Sequence, residues 1–490
     1  MAGHDQADLT KVITRTKVGS IVAAAGCGKT EQIALTIKYI AANEPSKSLR
    51  PLILTHTHAG VDVLRQRLRK HSVPGPAYQL DTIASWCLRY ATAYPVTSGF
   101  PNQEPKDAEW SLVYQAALRL IQSGAVDRVL QSSYGLVLVD EYQDCDPHQH
   151  ELFVALKERL PVCIFGDPLQ SIFDFNDVVA WETQVLPVFP EVGRLTRPWR
   201  WENAQKEGHG NWLARVRDDL ENGRKLDFSI NTDCFEWIWL PDQDGPKGAK
   251  ISEVCRDRKD LDGRLVIIGN SSSENVRAGI AKKLGNQHFS VIEPIGCITL
   301  FTQAIALDKV KDGKRLIAVM TFLSKCMTGI GKKAPFTKTP FMKAVNSKRK
   351  GGKAGRTRFG TLIDIGDQMD QADGENLILE LVLGFRDRHD TRCFRRELLS
   401  AMISALRAVR VGEAASLQEA VASVRARSRH LGRVIPRRCV GSTLLVKGLE
   451  FEHAVIVEYP GMTKEDWYVA LTRATHSVTV LSSSKWVTPV

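Results

Sequence analysis

Several things are missing from this chain, and each absence removes a class of protein. No stretch of about 18 consecutive apolar residues occurs, so no segment reads as a membrane-crossing helix. Met1 to Thr10 are polar and hold no apolar core, which speaks against a secretory signal. The 10 cysteines stand singly, without a Cys-x-x-Cys pair or histidines at ligand spacing. That argues against a zinc site and a disulfide framework, and it suits a reducing, cytoplasmic setting. No repeat period is apparent. Acidic residues are in deficit, with 55 Asp and Glu against 66 Lys and Arg, a net charge of +11 and a pI near 9.1. Such an excess attracts polyanions, nucleic acid foremost, with an inert basic surface as the alternative.

What is present points to several domains, because 490 residues exceed one comfortable core. Apolar runs at 18–25, 51–55, 135–139 and 162–166 read as strands, each ending in a polar cluster, and helical patterns lie between them. That alternation predicts an α/β fold with a parallel sheet and ligands at the carboxyl ends of its strands. A second α/β set starts after Pro190, with strand-like runs at 264–269, 454–458 and 477–482. An insertion at about 301–436, with several helical patterns, interrupts it. Within the insertion, 331–360 carries 10 Lys or Arg and no acid; it reads as a phosphate-attracting segment or as a solvated loop.

The chemistry is written in two motifs. Ala25, Gly26, Cys27, Gly28, Lys29 and Thr30 follow a strand and open a helix, the context of a phosphate-binding loop. Small residues there let backbone N–H groups approach phosphates, the lysine supplies charge, and the threonine hydroxyl meets a magnesium ion. Asp140 and Glu141 end another apolar strand. Asp140, with Thr30, is placed to hold Mg2+, and Glu141 to polarise an attacking water. Hydrolysis of a nucleoside triphosphate is the expected reaction.

The run Asp140-Glu141-Tyr142-Gln143-Asp144, followed by Gly166-Asp167-Pro168-Leu169-Gln170-Ser171-Ile172-Phe173, resembles motifs II and III of superfamily 1A helicases of the UvrD/Rep/PcrA type. In the family's order, 54–59 and 81–86 resemble its motif Ia and the next DNA-contact motif. Further on, 195–200 resembles motif IV, 446–451 motif V and 468–474 motif VI. The resemblance implies two RecA-like domains: 1–192 with a small insertion at about 88–133, and 193–300 plus 437–490, with 301–436 as a helical, basic insertion in the second. It implies ATP as the nucleotide, Gln170 as γ-phosphate sensor, and Arg200 and Arg473 as arginine fingers from the second domain. Trp199, where the family stacks a tyrosine on adenine, and Glu450 of motif V are implied nucleotide contacts. Thr55, Thr57, Thr82 and Ser85 are implied contacts to DNA phosphates, with Trp86, Phe173 and Phe175 as base-stacking platforms. Trp86 and Phe173 read equally as core residues.

Departures from the family's pattern are Asn176 in place of an arginine, Pro198 in place of an asparagine, and Ser442-Thr443-Leu444 before motif V. The compact layout resembles the helicase-like subunit of Gabija-type antiphage systems, which implies a nuclease partner. Two activities follow as expectations. One is a single-stranded-DNA-stimulated ATPase that translocates 3′ to 5′ and unwinds tailed duplex. The other is a DNA-sensing ATPase that regulates a nuclease and unwinds little.

Overall fold

The computed structural model describes residues 6–43, 49–100, 105, 109–172, 178–230, 232–258, 260–269, 273–284, 289–294, 297–310, 314–331, 339–351, 359–369, 376–430 and 435–490. Contacts divide the chain into two units. One comprises Met1–Leu226, Gly461–His476 and Val487–Val490; the other comprises Asp227–Pro460 and Ser477–Trp486.

In the first unit, six strands form one parallel sheet: β1 (Val18–Ala23), β2 (Arg50–Thr55), β3 (Gln79–Thr82), β4 (Tyr134–Val139), β5 (Val162–Gly166) and β6 (Glu191–Leu195), in the order β3-β2-β4-β5-β1-β6. The central strands are apolar at successive positions because both sheet faces are covered, as parallel sheets require. Alternate residues serve opposite faces. Ile21, Ile53, Leu138 and Phe165 join one core. Val22, Leu54, Val139 and Ile164 join the other.

Three helices grow from the carboxyl ends of these strands: α1 (Lys29–Asn43), α2 (His58–Lys70) and α3 (Ile83–Ala93). Thr57 caps α2 by accepting from the Gly60 N–H at 3.0 Å, and Thr82 caps α3 by accepting from the Ser85 N–H at 3.0 Å. Two later helices complete the site: α4 (Glu207–Glu221) and α5 (Lys464–Leu471). The 88–133 segment carries helices at Trp110–Gln122 and Asp127–Ser133, packed on the same core as α3.

The second unit has its own six-stranded sheet, built from β7 (Phe235–Trp239), β8 (Leu265–Ile268), β9 (Ser290–Val291), β10 (Arg438–Gly441), β11 (Phe451–Val457) and β12 (Ala474–Ser482), ordered β9-β10-β8-β11-β12-β7. Its insertion is helical, as expected, with helices such as Arg315–Cys326, Leu377–Arg386 and Arg396–Arg410 sharing one apolar core around Phe322, Met320, Phe385 and Met402. The basic 331–360 segment lies only partly within the described residues; Pro340–Arg349 is a helix. No helix among the described residues is long and apolar enough to cross a membrane.

Candidate active site

All six strands of the first sheet run in one direction, so the chain segments that follow them emerge along one edge. The phosphate loop follows β1, Asp140 and Glu141 follow β4, the Asp167–Gln170 turn follows β5, and Trp199 and Arg200 follow β6. Sequence patterns far apart in the chain thereby become neighbours.

The phosphate loop turns on Gly26 (φ 71°) and Gly28 (φ 87°), conformations that L-residues rarely adopt. A Cβ on Gly26 would also lie 2.7 Å from the Trp201 ring and 2.9 Å from the Arg200 Cβ. The loop is pinned from outside: the Arg200 N–H donates to the Gly26 carbonyl at 3.1 Å, and the Ala25 N–H donates to the Tyr468 hydroxyl at 3.1 Å. Cys27 is buried, and burial pushes its thiol up to about 12, so it stays protonated.

Lys29 at the start of α1 pairs with Glu141 at 2.5 Å and lies 3.7 Å from Asp140. Burial opposes its charge, but Glu141 and Asp140 outweigh that and hold its pKa above the ordinary lysine value. Burial pushes Asp140 up to about 6 against the pull of Lys29, with Glu141 adding repulsion. One lysine therefore faces two carboxylates. The Asp140 carboxylate and the Thr30 hydroxyl are oxygen donors, the ligand type that suits Mg2+. Glu141 is held at φ 58°, one of three non-glycine residues with positive φ among the described residues. That backbone costs about 1–2 kcal/mol, a strain of the kind that collects at functional sites.

From Glu141 a hydrogen-bonded chain runs inward. Gln143 Nε2 donates to Glu141 Oε2 at 2.6 Å, and Gln143 Oε1 accepts from the Asp167 N–H at 3.1 Å. Asp167 is fully buried, and its Oδ2 accepts from Gln170 Nε2 at 2.7 Å. Gln170 Oε1 accepts from Arg473 Nη2 at 3.3 Å. Arg473 sits just past the end of α5, where its Nε donates to the Val469 carbonyl at 2.9 Å. Arg200 Nη1 donates to the Thr472 carbonyl at 2.8 Å. Contacts thus group Arg200 and Arg473 with the first unit, whereas the sequence pattern assigned both to the second domain. The reason is packing: α5 and α4 lie against the Asp167–Gln170 turn and the phosphate loop, to which the chain returns about 300 residues after that turn.

Other expected site residues fall in different places. Trp199 is half-buried, with the Arg197 guanidinium 3.7 Å from its ring centroid. Glu450 is exposed in the second unit, ahead of β11. Thr55 is buried, Thr57 exposed, Thr82 buried and Ser85 half-buried, all at the same sheet edge as the phosphate loop. Trp86 is a core residue: it is 0% exposed beside Tyr90, at a centroid distance of 4.6 Å, under the helix Trp110–Gln122. Its indole offers no face to a base in this conformation, which corrects the stacking expectation. Phe173 and Phe175 lie outside the described residues.

One group outside the sequence motifs, Arg217, completes the site. Arg217 of α4 donates through Nη1 to Asp167 Oδ1 at 2.8 Å and to the Tyr468 hydroxyl at 2.9 Å. Burial opposes its charge, yet Asp167, Tyr468 and Glu221 hold its pKa above the ordinary arginine value. A sequence signal existed: Arg217 falls on the apolar stripe of Leu213, Val216 and Leu220, where an arginine needs a partner. Beside these groups lies a cavity of about 180 Å³ bordered by Ala25, Cys27, Pro198, Trp201, Arg217 and Tyr468.

Comparison with known proteins places residues 6–176 in a family described as an AAA domain. A 63-residue stretch is 41% identical to the Gabija protein GajB of Bacillus cereus (strain VD045), covering 12% of this chain and 13% of that protein. The match therefore spans a small part of the relative's length. The crystal structure of the Pif1 helicase from Candida albicans aligns over 99% of this chain and 96% of its own, at 11% identity and a TM-score of 0.40.

Proposed function

We propose that this chain, a UvrD-like helicase whose AAA domain spans residues 6–176, couples ATP hydrolysis to movement along single-stranded DNA and to opening of tailed duplex, in the 3′ to 5′ direction. A single hydrogen-bonded network carries this reading. It joins Lys29, Glu141, Gln143, Asp167, Gln170 and Arg473 without a break.

Such a network suits a hydrolase whose acids are held in check until substrate arrives. Phosphates of ATP at the loop compete for Lys29, and as Lys29 turns to them Glu141 is released to accept a proton from water. Thr30 and Asp140 would hold Mg2+, which supplies charge neutralisation at the phosphates. Gln170 meets the γ-phosphate, and Arg200 and Arg473 neutralise its charge, a contribution worth roughly 10³–10⁵ in rate. Trp199 is the contact for the base. On the DNA side, Thr55, Thr57, Thr82 and Ser85 meet phosphates; the network from Gln143 and Gln170 to Lys29 is the route by which DNA state reaches the nucleotide.

Lys29→Ala is expected to abolish turnover in an ATPase assay with single-stranded DNA; full activity in that variant would sink the assignment. A second reading is favoured by the stretch shared with the Gabija protein. In it the ATPase senses DNA and controls a partner nuclease in antiphage defence. Strand displacement on a 3′-tailed duplex separates the two. Robust unwinding by the chain alone supports the motor, and DNA-stimulated turnover without displacement supports the sensor.

A further inference from the structure

Resting on the ATPase reading above, we infer that Arg217 is a positioning residue for hydrolysis: it orients the Gln170 amide through Asp167 and anchors the phosphate loop through Tyr468. Three partners meet its guanidinium. Nη1 donates to Asp167 Oδ1 at 2.8 Å and to the Tyr468 hydroxyl at 2.9 Å, and Nε pairs with Glu221 at 2.8 Å. Two of them lead to different pieces of the site. The Tyr468 hydroxyl also accepts from the Ala25 N–H at 3.1 Å, and so fixes the start of the phosphate loop. The second oxygen of Asp167 accepts from Gln170 Nε2 at 2.7 Å.

That division of labour at Asp167 is informative. Arg217 holds Oδ1, and Oδ2 takes the Gln170 amide nitrogen. Gln170 must then present its oxygen the other way, toward Arg473 at 3.3 Å. Arg217 therefore decides which end of Gln170 faces the arginine, acting through the carboxylate between them. A planar fork with donors in fixed directions is needed to reach a carboxylate, a phenol and a second carboxylate at once. Asp167 is fully buried and the Arg217 side chain is 11% exposed. A buried pair of this kind is a poor source of stability, since apolar groups of similar volume often serve as well. Its value lies in geometry.

Steady-state ATPase kinetics of the full chain with single-stranded DNA test this, beside thermal unfolding and binding of a fluorescent ADP analogue. Arg217→Met is expected to lower kcat about 10- to 100-fold, the scale of an ångström-level misplacement, with KM for ATP changed less than about threefold if hydrolysis rather than binding is affected. Adding Gln170→Ala is then expected to lower kcat little further, because the two changes act on one group. A kcat within about twofold of wild type, or additive losses in the double variant, overturns the proposal. Should Arg217→Met fail to fold, Arg217→Lys keeps a charge beside Asp167 but lacks the fork; it is expected to show a partial kcat loss, and an unchanged kcat overturns the proposal. Wild-type turnover that Lys29→Ala does not abolish defeats the ATPase reading first, and the role of Arg217 falls with it.

Discussion

At the scale of single residues, the site is a set of charges kept in unfavourable places by their neighbours. Asp167 and Arg473 are buried, and each is tolerated because every step of the network supplies a partner. His209 is the contrary case. It is 1% exposed between Trp201 and Trp212, and neither ring nitrogen has a partner among the described residues. Burial, with Lys206 adding repulsion, lowers its pKa to about 4 from the usual 6.5. The folded state therefore holds a neutral imidazole, and the stability this confers is full above pH 6.5. It is lost as the pH falls from 6.5 toward about 4, where the unfolded chain binds the proton and the folded chain does not. The expected loss is on the order of 3 kcal/mol, from about 1.4 kcal/mol per pKa unit. Thermal unfolding between about pH 7 and 4 should show that acid sensitivity in the wild type. His209→Phe should flatten it and leave stability near neutral pH equal or higher. A His209→Phe profile as steep as wild type would show that other groups govern the acid limb.

At the scale of elements, the helical insertion of the second unit is rooted in one buried ion-pair cluster. Arg395, 1% exposed ahead of the helix Arg396–Arg410, pairs with Glu293 at 2.5 Å and with Glu274 at 3.2 Å, and its Nη1 donates to Thr299 at 3.2 Å. Glu274 opens one helix, Glu293 follows β9, and Thr299 lies in the first turn of the helix Ile298–Lys309. The arginine also lies against Cys297, so the trio Glu274, Glu293 and Cys297, which has ligand-like spacing, is already paired with a resident cation. Arg395→Met leaves Glu293 buried without that cation, and about 3–5 kcal/mol of destabilisation is expected. Urea unfolding of the variant measures it. The double change Glu293→Leu with Arg395→Met should recover most of the loss; no recovery would mean that the cluster matters for more than charge compensation.

Elements also show where sequence patterns succeed. Four strands of the first sheet, β1, β2, β4 and β5, were legible because each is a short apolar run bounded by polar clusters, and the phosphate loop because its glycines, lysine and threonine lie together; β3 (Gln-Leu-Asp-Thr) and β6 (Glu-Val-Gly-Arg-Leu) are not apolar runs and escaped that reading. Within the insertion, Arg315–Cys326 and Pro340–Arg349 were not singled out, whereas three helices, Leu377–Arg386, Arg396–Arg410 and Leu417–His430, were legible from the sequence pattern. Trp86 was not, because periodicity does not separate a buried indole from a stacking one. What buried it was the helix Trp110–Gln122 laid over α3, a pairing that no local pattern encodes.

At the scale of the whole molecule, the net charge of +11 would make the proposed DNA affinity a matter of salt. The basic helix Pro340–Arg349 shows that not every cation is available: Lys348 pairs with Asp364 at 2.7 Å and Asp367 at 3.2 Å, and Arg349 with Asp367 at 3.5 Å. Lys343 and Lys350 are exposed beside Asn346 and Ser347. Replacing both lysines by Gln should weaken single-stranded DNA binding and reduce the slope of log affinity against log salt by about 1.4, since each neutralised phosphate of a single strand accounts for about 0.7. Fluorescence anisotropy across salt concentrations reads this directly, and an unchanged slope would remove that helix from the proposed DNA track.

The sequence by itself marked a phosphate loop, an acid pair, a glutamine turn and two arginines, each within a short local motif because backbone geometry sets it locally. Only the tertiary structure decided how they act together. Arg217 and Tyr468 are separated by 251 residues, and Gln170 and Arg473 by 303. Their partnership depends on burial, where a charge must find an opposite charge or a hydrogen bond wherever the fold supplies one, and that demand leaves no spacing rule in the chain.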